Sequence, residues 1–110
     1  MVYAVEVEIK IVGADGLDWD AGNLYKILQR GITPQLIEEF FSREQLLSPD
    51  HKHSTSEKRF IAVGKSYEGR YLIVSYTMRV KNNLNLLRVV TARYMHKKEY
   101  QVYEKVKQSI

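Results

Sequence analysis

Five arginines and two carboxylates carry most of the chemistry open to this 110-residue sequence. Arg59, Arg70, Arg79, Arg88 and Arg93 all fall in its second half. A guanidinium is planar, permanently charged and able to hold a phosphate through two N–H groups at once. Glu57, Glu99 and His96 are candidate proton carriers. The formal net charge of +4 hides an asymmetry. Residues 1–50 contain four basic and nine acidic side chains, a net −5, and residues 51–110 contain thirteen and four, a net +9. A half so charged points to a polyanionic partner, with a plain solvated basic face as the alternative.

Other chemistries are poorly served. The sequence has no cysteine, which removes disulfides, thiolate zinc sites and cysteine nucleophiles and fits a reducing cytoplasm. His51 and His53, with Asp50 beside them, are too few for a catalytic zinc, which normally takes three protein ligands in fixed geometry. No metal site and no cofactor are expected. Apolar residues at 45% and charged residues at 27% suit a soluble globular chain, and the length suits one domain over 1–110. No apolar run approaches the roughly 18–20 residues of a membrane span. Glu6 interrupts the opening apolar stretch, so no secretory signal is expected.

The elements that must position these groups follow from periodicity. Residues 3–11 alternate, with Tyr3, Val5, Val7, Ile9 and Ile11 on one side, and predict a half-buried strand. Asp18-Trp19-Asp20 opens a short helix that carries Leu24, Ile27 and Leu28 on one face and stops at Gly31. Thr33 and Pro34 start a second helix with an apolar stripe of Leu36, Ile37, Phe40 and Phe41. Residues 48–57 read as a polar loop. Strands follow over 60–64, 71–78 and 86–91, with turns at Tyr67-Glu68-Gly69 and Asn82-Asn83. Met95, Glu99, Val102, Tyr103 and Val106 then recur at helical spacing, with Lys97, Lys98, Lys105 and Lys107 making the helix basic. The expected fold is α+β, an antiparallel sheet with helices packed on it, in the order β-α-α-β-β-β-α.

Three groups of residues together resemble BrnT-type toxins of type II toxin–antitoxin systems. The first is Leu17-Asp18-Trp19-Asp20 with Asn23, Lys26 and Arg30-Gly31-Ile32. The second is Glu57-Lys58-Arg59-Phe60 with Val63-Gly64-Lys65-Ser66 and Gly69-Arg70-Tyr71-Leu72, and Tyr76-Thr77-Met78-Arg79 continues it. The last runs from Arg88 through Glu99, then Tyr103-Glu104. The likeness spans 17–104 and leaves 1–16 as an N-terminal strand extension whose edge can pair with a partner segment. It implies a RelE-like fold, RNA cleavage and a ribbon-helix-helix antitoxin of the BrnA type. It also implies a complex of two toxins and two antitoxins that meets operator DNA only through the antitoxin. Arg30 departs from the family, which often has His before the turn glycine.

Cleaving RNA without metal uses its own 2′-OH as nucleophile, and needs a base, an acid and cations for the phosphorane. Arg79 and Arg93 are the first candidates for phosphate ligands, Arg59 the third, and Glu57 the candidate base; surface ion pairing is the alternative for each. Lys26, Arg30, Tyr94 and His96 are candidates for substrate binding, Tyr94 by stacking on a base. Lys26 and Arg30 face either substrate or antitoxin. Glu99 reads better as a capping carboxylate three residues after His96. A non-enzymatic binding module, or an inactive relic that keeps only its antitoxin or nucleic-acid surface, is the alternative function.

Overall fold

The computed structural model describes residues 7–110. Its strands are β1 (Glu8–Lys10), β2 (Gly16–Leu17), β3 (Gln45–Pro49), β4 (Arg59–Lys65), β5 (Tyr71–Lys81) and β6 (Leu84–Tyr94). The helices are α1 (Ala21–Leu28), α2 (Pro34–Phe41) and α3 (Lys97–Gln108). The fold is α+β, and its six strands form one sheet in the order β1-β3-β4-β5-β6-β2.

Local chemistry explains the helices. The Asp20 carboxylate accepts from the backbone N–H groups of Gly22 and Asn23, and the Asn23 side-chain oxygen accepts from the Asp20 N–H. This reciprocal cap fixes the start of α1. Gly31 ends it at φ +73°, a conformation that costs glycine little. Thr33 Oγ1 accepts from the Leu36 N–H, and Pro34 takes the first turn of α2. Leu36, Ile37, Phe40 and Phe41 are then buried against Leu72, Val74 and Tyr76 on one sheet face. Phe41 meets the rings of Phe40 and Tyr76 edge-on at 5.1 and 5.3 Å. Burying each such side chain is worth about 1.5–3 kcal/mol, so this stripe anchors α2.

Several expectations need correction. The sheet is mixed rather than antiparallel, because β2 runs parallel to β6 with Gly16 opposite Leu86. Two residues have no readable period. β1 spans Glu8–Lys10 only and is exposed rather than half-buried, since the sheet's outermost strand has no layer beneath Ile9 or Ile11. The rest of that expected strand, residues 3–6, lies outside the described residues. The supposed polar loop begins as strand: Gln45–Pro49 pairs with β4, and His51–His53 forms a 3-10 turn. On α1, Ile27 is fully buried but Leu28 is 54% exposed, because the helix touches the sheet along a narrow line. On α3, Tyr103 is buried while Val102 faces solvent.

Candidate functional site

The site starts from a turn. Asn82 and Asn83 both have positive φ, 51° and 65°, and close β5 and β6 into a two-residue hairpin. Such turns fix strand register. Here the register places Arg88 opposite Thr77, and Thr77 opposite Arg59 on the other side. Directly opposed residues share a sheet face, as do residues two apart on one strand. Arg59, Arg79 and Arg88 therefore rise from one face of three adjacent strands.

Helix α1 forms the remaining wall. β2 is too short to cover the outer edge of β6, and α1 takes its place. Asn23 Nδ2 donates to the carbonyls of Asp18 and Val89, both at 3.0 Å. Arg30, two residues beyond the end of α1, donates from Nη1 to the Ala92 carbonyl at 3.2 Å. Asn23, Lys26, Glu57, Arg59, Arg79 and Arg88 thus line one cleft of about 250 Å³.

The cations in this cleft are not equivalent. Arg79 Nη2 lies 3.6 Å from Glu57. Arg88 is held more firmly, with Nη2 at 2.6 Å from Asp20 and Nη1 at 3.7 Å from Asp18. The Asn23 backbone N–H, then Arg88, hold the Asp20 carboxyl below its ordinary value. Arg59 and Lys26 have no carboxylate within ion-pair distance among the described residues. These two charges are available to an anion without breaking an existing pair.

Arg93 stands apart from the cleft. Its Nη1 and Nη2 each reach a Glu99 oxygen at 2.7 Å, a bidentate pair. Glu99 also accepts from the His96 backbone N–H at 2.8 Å, as a capping carboxylate should. Arg93, then this N–H, hold the Glu99 carboxyl at about 2. A carboxyl lowered from 4.5 adds stability that is present above pH 4.5 and is lost as pH falls toward 2. The expected result for Glu99→Gln is a lower melting temperature than wild type at pH 6, with the gap closing between pH 4.5 and 2. A gap independent of pH would assign the effect to packing instead.

The other candidates also lie outside the cleft. Tyr94 carries the Arg70 guanidinium 3.4 Å above its ring centroid, and His96 is an exposed residue at the start of α3. His53 Nδ1 sits 2.8 Å from Asp50, and no group of three or more metal-ligating side chains occurs among the described residues. The larger cavity, about 470 Å³, lies behind the arginine row. Phe60, Tyr76 and Met78 line it from the opposite sheet face, and no arginine reaches it.

Arg88, one of the five arginines of the second half, is the cleft arginine absent from the phosphate-ligand candidates read from sequence. Counting back from the Asn82-Asn83 turn would have placed it opposite Thr77. A family model described as the ribonuclease toxin BrnT of type II toxin–antitoxin systems matches residues 19–99. The chain belongs to this family. No curated protein matches it. The BrnT match includes all the cleft residues and leaves β1 and β2 outside. A type II toxin implies an RNA substrate and an antitoxin partner. No helix among the described residues of this BrnT-family chain is long and apolar enough to cross a membrane.

Proposed function

We propose that this BrnT-family ribonuclease cleaves RNA in the arginine cleft without a metal ion. The convergence of three arginines, a lysine and one carboxylate carries this reading. Glu57 takes the proton from a 2′-OH, whose oxygen attacks the adjacent phosphorus. The bond to the 5′-oxygen breaks, that oxygen takes a proton from water, Glu57 returns its proton to the hydroxide so formed, and the products are a 2′,3′-cyclic phosphate and a 5′-OH. Arg59 and Arg79 bind the phosphate and stabilise the charge that develops on it. Arg88 adds a third cation from β6. Lys26 supports the leaving oxygen from the α1 side, opposite Glu57. Arg93, Tyr94 and His96 lie outside this step, with Arg93 joining the last strand to α3. Arg30 binds a β6 edge carbonyl, so its departure from the family His bears on how α1 packs.

The partner is a BrnA-like ribbon-helix-helix antitoxin in a complex of two toxins and two antitoxins, with operator DNA reached through the antitoxin alone. The setting is the cytoplasm. The test is purified chain on single-stranded RNA in excess chelator. Cleavage leaving cyclic phosphate ends is the expected result. Cleavage only on adding a divalent cation would exclude the metal-free step. Expression without antitoxin is expected to arrest growth, and unchanged growth with folded chain present would count against toxicity.

A further inference from the structure

Between Arg59 and Arg88 in the arginine row stands Thr77, a residue with no charge and 1% exposure. Valine has the same shape and suits a buried strand position at least as well. The difference is the hydroxyl, and a buried hydroxyl is costly unless it is bonded. Thr77 Oγ1 donates to the Lys58 carbonyl at 2.7 Å. Lys58 lies between Glu57 and Arg59, two residues of the proposed machinery. Arg79, which faces Glu57 at 3.6 Å, is two residues along β5 from Thr77.

Besides the Glu57–Arg79 pair, the other bonds that tie this segment lie behind Glu57. Arg59 N–H donates to Ser54 Oγ at 2.9 Å, and Ser54 Oγ donates to the Asp50 carbonyl at 2.7 Å. Asp50 N–H donates to the Arg59 carbonyl at 2.8 Å. These bonds close the base of the 50–59 loop. Residues 55–57 above it are in neither helix nor strand. Apart from the Glu57–Arg79 ion pair itself, the Thr77 bond is the side-chain attachment nearest to Glu57 that crosses to β5 among the described residues.

We infer that Thr77 is a positioning residue: through the Lys58 carbonyl it sets Glu57 against Arg79 at the distance the proton transfer needs. The inference rests on the RNA-cleavage reading. A base displaced by an ångström costs up to about a hundredfold in rate. Substrate binding, which rests on the arginines, is left largely intact.

The test uses the full chain carrying Thr77→Val or Thr77→Ser. Thr77→Val is expected to lower kcat at least about tenfold, with KM within about twofold and melting within a few degrees. Thr77→Ser, which keeps the donor, is expected to restore most of kcat. Wild-type kcat in Thr77→Val overturns the inference. So does a fall in kcat and melting temperature with a rise in KM that serine does not rescue. An inactive wild-type chain would refute the cleavage reading by itself. The inference is then read from the carbon-13 signal of the Glu57 carboxyl. That signal is expected to move in Thr77→Val and stay in Thr77→Ser, and an unmoved signal in the valine variant overturns it.

Discussion

Arg59→Ala is expected to reduce RNA cleavage by about a hundredfold or more while leaving the fold almost untouched. Removing one preorganised donor from a developing phosphate charge typically costs that much in kcat. The small stability effect follows from the absence of a counter-ion. Among the described residues Arg59 pairs with no carboxylate, so its loss leaves no charge stranded. Substitutions of this kind usually fall within about 0.5 kcal/mol. Arg88 is a poorer probe, because its removal would also release Asp20, the cap of α1. The measurements are kcat/KM on a single-stranded RNA and a thermal melt of the same preparation. Cleavage above a tenth of wild type would take Arg59 out of the phosphate site.

Gly64→Ala is expected to destabilise the protein by about 2–4 kcal/mol, although a methyl group on a strand looks harmless. A Cβ at Gly64 would collide with the side-chain oxygen of Gln45 and lie 3.0 Å from its Cδ. Gln45 is 4% exposed and has little room to swing away. Its Nε2 donates to the Phe40 carbonyl at 2.6 Å, tying the end of α2 to the start of β3. The methyl therefore overpacks the site and strips a buried amide of its partner. Urea unfolding with an unchanged m-value measures the loss. Gln45→Ala removes the obstacle, so the double variant is expected to cost at least about 1 kcal/mol less than the sum of the singles. Strict additivity would refute the steric explanation.

How much of this was legible depends on the distance over which each feature is decided. The caps of α1 and α2 are encoded within four residues, at Asp20-Asn23 and Thr33-Leu36, and they form as expected. The pair β5 and β6 is written in long runs of strand-forming residues around Asn82-Asn83. β2 and β3 are not, because their pairing is settled by partners 70 and 11–17 residues away rather than by their own pattern. Gln45–Pro49 ends in proline and does not alternate, so nothing local marks it as strand.

The site divides in the same way. Residue type alone nominated Arg59, Arg79, Glu57 and Lys26, and the fold brings these together. It also nominated Arg93, which Glu99 captures six residues later. Arg88 depends on register, which an alternation pattern cannot supply without the turn. Beyond Ser75 a bulge shifts that register, so counting from the turn fails for Thr91 and Arg93.

The two-asparagine turn is also expected to order assembly in time, because local pairings close before distant ones. Thr77 and Arg88 are brought together by a tight local hairpin, the kind of structure that forms in about 1–10 μs. Arg59 joins through the next hairpin, over a similarly short span. Asn23 meets the Val89 carbonyl across 66 residues of chain, a closure with a larger entropic cost. Local pairing thus builds the arginine row, and the Lys26 wall arrives with the docking of α1. A folding chain acquires its arginine row at the lowest entropic cost and its complete cleft at the highest.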